Sequence, residues 1–230
     1  PLGGSLLNLS YGYGKVFVVP HEQIDGQMQG GMCELPMPQF PTGLVRGRFH
    51  PTNGHLYTCG MFAWAGNQQQ PGGFYRIRAT GKPMHLPVGL HASQDGIKIR
   101  LTDPVSLQSA ENSDNYSIRV WDLKRTANYG SKHYNERLLK IDRATLSNEG
   151  RKIFLTIPEI APTRGMEIKY FLNDQQGHKV EGTIHNSIHQ FPDSARVSSV
   201  RKECLHRVYE DFLDAAFYAT CSIARFVSAL

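Results

Sequence analysis

The chain has 230 residues, which is enough for one large domain or two small ones. Hydrophobic residues make up 40% of it and charged residues 20%, a balance typical of a globular protein and not of a disordered one. The net charge is +5, but the sequence has no nucleic-acid-binding motif and no run of about 18 apolar residues, so we expect neither a nucleic-acid partner nor a membrane span.

The first 80 residues consist of short apolar runs separated by turn residues. The chain enters strand-like sequence at once, without a Met or a charged leader, which is typical of a processed product or of a fragment of a longer chain. The segment DGQMQGGM (25–32) indicates a Gly/Gln-rich connection, and the three prolines that follow in ELPMPQFPTG (34–43) predict a loop, since proline disfavours helix interiors and central strands. Next, Asn53-Gly54 between two apolar runs predicts a β-hairpin.

Residues 84–190 have the pattern of an antiparallel β-sandwich. Short apolar segments recur at intervals of about ten residues and are separated by turn residues such as Asp95-Gly96. In several of them apolar and polar residues alternate, so that one side of each strand faces a shared core. Seven strands are predicted: Met84–His91, Ile97–Leu101, Tyr116–Leu123, Leu138–Leu146, Lys152–Ile157, Met166–Leu172 and Lys179–His185.

The last segment, residues 192–230, changes to helical periodicity. Apolar residues from Leu205 to Val227 recur at steps of three and four, which predicts an amphipathic helix. We expect this helix to dock on the body of the protein; a partner helix or an interfacial anchor is the alternative.

The four cysteines indicate no metal or haem attachment motif. Cys33, Cys59, Cys204 and Cys221 form no CxxC pair, so the zinc-ribbon, thioredoxin and c-type haem (CxxCH) motifs are absent. Cys33 and Cys59 fall on neighbouring predicted strands. They form either a disulfide or two free thiols, and the sequence does not decide between the two.

The hairpin region resembles a known type of β-propeller. GRFHPTNGHLYTCGMFAWAGN (47–67) resembles the last blade of a sugar-dehydrogenase-like propeller, whose hairpin follows F-x-P-x-x-G-x-L-Y-x-x-G. The matching residues are Phe49, Pro51, Gly54, Leu56, Tyr57 and Gly60. The resemblance extends over residues 1–190, which are similar in sequence to large, haem-carrying secreted proteins of planctomycete-type bacteria. The segments that carry it are the hairpin together with FPTGLVRGRFHP, QPGGFYRIRATGKP, LHASQDGIKIRLTDP, NYSIRVW and NYGSKHY.

This resemblance implies a mainly β chain with three parts. Residues 1–80 are expected to form a partial propeller (the last blade or two), residues 84–190 an immunoglobulin-like β-sandwich, and residues 192–230 a helical tail that lies outside the resemblance. The resemblance also implies an extracytoplasmic location, periplasmic or secreted, and a parent protein that contains the missing upstream blades.

The function implied is that of the C-terminal, non-catalytic part of a secreted, dehydrogenase-like protein, which closes the propeller and acts as a spacer or docking module. A quinone- or haem-linked sugar or alcohol dehydrogenase is the parent activity that the resemblance suggests. Haem c or a quinone would then be held by other parts of the parent protein, with no cofactor in this chain. The alternative is a self-contained carbohydrate- or protein-binding β module.

One cluster of residues suggests a ligand-binding site. Arg46, Arg48 and His50 recur at period two on one predicted strand, so their side chains point to one face, and Trp64 follows nearby. Cations, an imidazole and an indole together could bind an anionic or sugar ligand. The alternative is structural: the arginines bind carbonyl groups and neighbouring blade loops, and Trp64 packs between sheets. No residue set predicts a catalytic or a metal site.

Overall fold

The structure is a computed structural model that describes residues 2–63, 69–127, 130–147 and 149–192. Within these ranges the chain is mainly β, as predicted, and its strands are all paired antiparallel. The strands are β1 (Leu6–Leu9), β2 (Val16–Val19), β3 (His21–Ile24), β4 (Gln27–Glu34), β5 (Gly43–Phe49), β6 (Leu56–Met61), β7 (Gly72–Ile77), β8 (Pro87–Ser93), β9 (Gly96–Leu101), β10 (Tyr116–Leu123), β11 (His133–Leu139), β12 (Arg143–Leu146), β13 (Lys152–Thr156), β14 (Thr163–Asn173) and β15 (Lys179–Ile188).

Helical structure is minor in the described ranges. One short helix, α1 (Leu107–Ala110), precedes a single 3-10 turn at Ser113–Asn115. None of the described helices is long and apolar enough to cross a membrane. The helix predicted at residues 192–230 lies outside the described residues.

The largest sheet joins strands from both ends of the described chain. Its order is β1-β2-β4-β15-β14-β10-β11, and β3 pairs with β4 on the side. Strand β4 pairs with β15, with Cys33 opposite Ile184. The sheet therefore crosses the boundary predicted between residues 80 and 84, and residues Pro1–Phe191 group into one compact unit.

A second sheet completes the hydrophobic core. Its order is β12-β13-β9-β8. In β9, Ile97, Ile99 and Leu101 are buried and the intervening cations are exposed, as expected of a strand with one side in the core. The buried side chains of this sheet belong to the same cluster as buried residues of the larger sheet, including Ile118, Ile168 and Ile184.

The predicted strands after residue 84 are found close to their expected positions, with one correction. Tyr116–Leu123 has the predicted bounds, but the strand predicted at Leu138–Leu146 is two strands, β11 and β12, in different sheets. The chain changes sheets between them, where the Asp142 amide donates to the Thr156 carbonyl and the Lys140 ammonium lies 2.9 Å from the Asp142 carboxylate. The sequence did not indicate this change of sheet, because apolar and charged residues continue through Leu138–Leu146 without a turn signal.

The connection predicted at residues 25–32 is mostly strand. Asp25 and Gly26 both have positive φ (47° and 84°), the combination that a tight two-residue hairpin turn requires. Ile24 and Gln27 face each other across this turn, and β4 continues from there to Glu34. The proline-rich segment after β4 contains no strand, as predicted.

The remaining three strands form a small sheet of their own, in the order β5-β6-β7. The predicted hairpin is confirmed, since Phe49 pairs with Leu56 and the loop between them contains Gly54 at φ 66°. Asn53 keeps a negative φ; its side chain instead accepts a hydrogen bond from the His55 amide at 2.9 Å. The hairpin signal was therefore right, although the turn is longer than two residues.

Candidate functional site

The strand register of the small sheet brings cationic and aromatic side chains to one face. Arg46, Cys59 and Phe74 lie opposite one another across β5, β6 and β7. Two residues along, a second row consists of Arg48, Tyr57 and Arg76. Directly paired residues, and residues two apart on a strand, project to the same side of a sheet. We call this surface the arginine face, and it comprises Arg46, Arg48, Tyr57, Cys59, Phe74 and Arg76.

The arginine face is open to solvent. All of its members are exposed except Tyr57, which is half-buried, and Phe74 is 73% exposed. The rings of Tyr57 and Phe74 stack, with centroids 5.8 Å apart and planes 23° apart. This pair gives the centre of the face a flat apolar patch between the guanidinium groups.

Part of the opposite face of the small sheet is buried and fixes it to the body. Leu56 and Thr58 are almost fully buried, and the Thr42 and Tyr75 hydroxyls lie 3.0 Å apart beside them. A Cβ added at Gly60 would lie 2.1 Å from the Thr42 hydroxyl oxygen, so only glycine fits there. The sheet is thus anchored on one side, which leaves the arginine face pointing away from the core.

The arginines of this face have no carboxylate partner in the described part of the chain. The Arg48 guanidinium donates a hydrogen bond of 2.9 Å to the Gly47 carbonyl. The ion pairs among the described residues all lie elsewhere, for example between Arg119 and Glu167 on the large sheet. The face therefore presents unpaired positive charge next to exposed aromatic rings.

His50, predicted as part of the site, has a structural role at the hairpin. Its Nδ1 accepts hydrogen bonds from the amides of Thr52 and Asn53, at 3.3 and 3.4 Å. Its ring centroid lies 6.1 Å from that of Tyr57, so it borders the arginine face. Of the predicted site residues, Arg46 and Arg48 lie on the face, His50 lies at its edge, and Trp64 lies outside the described residues.

Sequence reasoning missed Tyr57, Phe74 and Arg76 as members of this surface. They come from two further strands, and only the pairing register brings them to the side of Arg46 and Arg48. A signal was nevertheless present, because residues 35–94 contain no Asp or Glu at all. A search for segments of one charge sign would have found it.

The sequence left open whether Cys33 and Cys59 form a disulfide or remain free. In the structure both are free thiols. Cys33 is buried in the large sheet, 3.3 Å from the Pro87 carbonyl oxygen, and burial raises the pKa of its thiol to about 12. Cys59 is exposed on the arginine face. The two residues were predicted on neighbouring strands, but they belong to different sheets.

Other polar clusters in the described ranges have structural partners. Burial alone would raise the pKa of Glu22, but hydrogen bonds from His91, Gln29 and the Ala92 amide outweigh burial and lower that pKa. The Asp174 carboxyl has a similar environment. Burial alone would raise its pKa, but hydrogen bonds from the side chain and amide of His178 and from the Gln176 amide lower it. No group of three or more potential metal-binding side chains occurs among the described residues.

Two grooves lie elsewhere in the described part of the chain. One, of about 480 Å³, is lined by Arg100, Arg151, Asp103 and Glu149. Its Asp103 carboxylate already accepts hydrogen bonds from the Met84 and His85 amides and from the Thr102 hydroxyl. The arginine face is therefore the better candidate for recognition.

Comparison with known proteins gives no match: neither a family model, nor a curated protein, nor a solved structure is significantly similar to this chain.

Proposed function

We propose that the chain is the C-terminal, non-catalytic part of a secreted, propeller-based dehydrogenase-like protein. In this proposal β5–β7 belong to the last propeller blade, and the strands after residue 84 form an immunoglobulin-like module that acts as a spacer and docking unit. The resemblance of the hairpin at residues 47–67 supports this proposal, and so does the exposed surface of the small sheet.

The exposed apolar side chains around the small sheet are the observation that carries the proposal. Twelve large apolar side chains are exposed in the described part of the chain, and five of them lie within or next to β5–β7. These five are Val45, Phe49, Met61, Phe62 and Phe74, each at least 50% exposed. Apolar residues concentrated in this way mark a surface that another part of a protein covers. A propeller blade is covered by its neighbours on both faces, so a blade without them would have such a surface.

The sheet edges support the same interpretation. Within the described ranges β5 and β7 each pair with β6 alone. One edge of β7 therefore has no partner strand among the described residues, whereas on β5 the Leu44 amide donates to the Ser10 carbonyl outside the sheet. Exposed strand edges next to apolar side chains favour association with further strands. Additional strands of the parent protein would satisfy both features.

The proposal assigns catalysis and cofactors to other parts of the parent protein. A sugar-oxidising propeller draws its base and its quinone-binding cations from several blades, and covalent haem c requires a CxxCH motif, which this sequence lacks. Haem c or a quinone, and the sugar or alcohol substrate, would accordingly be bound outside this chain. An extracytoplasmic location is part of the same proposal.

A self-contained carbohydrate- or protein-binding module is the second candidate. It is favoured by the pairing of β4 with β15, because strands from the first 80 residues then complete the large sheet within this chain. The two proposals differ in one respect: only the first requires upstream blades that cover the arginine face.

Cys59 gives a direct test of the first proposal, since its exposed thiol lies on the arginine face. We would read the coding frame upstream of Pro1, express the protein with its upstream blades, and measure alkylation of Cys59 by peptide mapping. We expect Cys59 to react at least about tenfold more slowly in the extended protein than in this chain, because covering blades restrict access to the thiol. The absence of upstream blade strands, or equal rates in the two proteins, would favour the self-contained module.

A further inference from the structure

The excess positive charge of the chain comes from one stretch of the sequence. Residues 35–94 contain five Lys and Arg residues and no Asp or Glu, and the rest of the chain has 20 of each sign. The net charge of +5 therefore equals the charge of this stretch. Three of its five cations, Arg46, Arg48 and Arg76, lie on the arginine face.

Covering these arginines has a chemical requirement. A guanidinium that is moved out of water without a partner loses its hydration and is strongly destabilised, so buried arginines are paired with acceptors, above all carboxylates. The described part of the chain provides no carboxylate partner to any of the three. Whatever covers the face must therefore bring hydrogen-bond acceptors with it, and carboxylates are the acceptors that also balance the positive charge.

We propose that the arginine face packs against an acidic protein surface, the neighbouring blade of the parent protein, whose carboxylates pair with Arg46, Arg48 and Arg76. The inference rests on the proposed function, since it takes the covering surface to be part of the parent protein. Arginine is suited to this role because its planar fork binds a carboxylate with two parallel hydrogen bonds.

The side chains between the arginines favour a protein over an acidic polysaccharide as the occupant. Tyr57 and Phe74 stack at the centre of the face, and Val45 and Met61 are more than half exposed beside it. Aromatic residues, Met and Arg are the types enriched at protein–protein interfaces. An acidic sugar chain would use the arginines and the ring faces but would leave the aliphatic side chains without a partner.

The test compares the protection of Cys59 in charge variants. For each variant we define protection as the alkylation rate of Cys59 in this chain divided by its rate in the upstream-extended protein. Effects of a substitution on the thiol itself then cancel.

The variants are R46Q/R48Q/R76Q, which removes the charge, and R46E/R48E/R76E, which reverses it. The matched control is R137E/R143E/R164E, which reverses three exposed arginines elsewhere in the described chain. Thermal unfolding of this chain checks that each variant folds.

We expect the neutral and the reversed variants to lose at least about tenfold in protection, the reversed one more, and the control to keep it, because the carboxylates of the covering surface would lose their partners. Raising NaCl from about 0.05 to about 0.5 M should also lower the protection of the wild-type face. If Cys59 stays as protected in both arginine variants as in the wild type, the inference of an acidic partner is wrong. Coverage of the face by blades, and with it the proposed function, would then still stand.

Two further outcomes would overturn the inference. If Cys59 of the wild type is unprotected in the extended protein, the proposed function fails and the inference fails with it. If polygalacturonate protects Cys59 of this chain in an arginine-dependent manner while the upstream blades do not, the occupant is an acidic polysaccharide.

Discussion

Cys33 and Cys59 have the same side chain but opposite environments. The thiol of Cys33 is buried among strands of the large sheet, where loss of hydration disfavours the thiolate and raises its pKa to about 12. Cys59 is exposed on β6. Since the thiolate is the reactive form, the two residues should differ greatly in reactivity.

We predict that iodoacetamide at pH 8 modifies Cys59 in the folded chain and leaves Cys33 unmodified until the protein unfolds. Peptide mapping after increasing reaction times, with and without denaturant, measures both rates. The expected ratio between them is at least about a hundredfold, because burial limits both access and ionisation of Cys33. Equal modification of the two residues in the native protein would contradict the buried position of β4.

At the level of elements, a carboxylate links β3 to β8. The Glu22 side chain accepts hydrogen bonds from His91 Nδ1 at 2.6 Å, from the Ala92 amide at 3.1 Å and from the Gln29 side chain at 2.8 Å. These contacts lower the pKa of Glu22 below its usual 4.5, although burial opposes them. The stabilisation that they provide is therefore fully present above pH 4.5 and is lost as the pH falls through the lower pKa of the folded state.

We predict that Glu22→Gln lowers the free energy of unfolding by about 1–2 kcal/mol at pH 7, because several partly buried hydrogen bonds lose their charged acceptor. The difference from the wild type should shrink as the pH is lowered below 4.5. Urea unfolding between pH 3 and pH 7 measures it. Glu149→Gln is the control: this exposed residue lies 3.9 Å from Lys152, and its replacement should change stability little. A difference for Glu22→Gln that does not depend on pH would contradict the proposed origin of the shift.

The pairing of β4 with β15 leads to a second prediction at the level of elements. A fragment of residues 84–191 lacks β4, which lies beside β15, and β2, which pairs with β4. It therefore lacks the side chains of Cys33 from β4 and of Val16 and Val18 from β2, which belong to the common core. Leaving such apolar area exposed costs about 25 cal/mol per Å², which over a few hundred Å² is comparable to the stability of a small domain.

We therefore expect residues 84–191 to unfold at a lower temperature than residues 1–191, or without cooperativity. Thermal unfolding of the two proteins, followed by circular dichroism, makes the comparison. A fragment that unfolds cooperatively at the temperature of the longer protein would contradict this expectation and favour the domain boundary predicted near residue 80.

The sequence predicted most elements because period-two alternation and turn residues are local signals. Tyr116–Leu123 and the Asn53-Gly54 hairpin are examples. It did not predict strand β4, whose glycines and glutamines have low strand propensity and which is held by pairing with β15, more than 140 residues away in the sequence. It also joined β11 to β12, because their residues form one continuous run and only tertiary pairing separates them.

The candidate site was predictable in part for the same reason. Arg46 and Arg48 share one strand, so their common face follows from local periodicity. Phe74 and Arg76 reach that face through the register between β6 and β7, which no local pattern specifies. His50 was assigned to the ligand site by its spacing, whereas its Nδ1 is engaged with the amides of the hairpin loop.

At the scale of the whole molecule, one small sheet differs from the rest. Elsewhere in the chain the charges balance, and Arg119 on the large sheet has two carboxylate partners, Glu167 at 2.6 Å and Glu136 at 2.9 Å. The small sheet combines uncompensated positive charge with the largest concentration of exposed apolar side chains in the described ranges. Both features are expected of a surface that another part of a parent protein covers.

The central claim, that upstream blades cover the arginine face, is tested most directly by amide hydrogen exchange of the peptide spanning Gly72–Ile77. This peptide contains β7, an edge strand of the small sheet in the described structure. Covering the sheet should suppress its local opening, so we expect at least about tenfold slower exchange in the upstream-extended protein than in this chain, with unchanged exchange for Tyr116–Leu123 in the large sheet. Identical exchange of the Gly72–Ile77 peptide in the two proteins would contradict the claim.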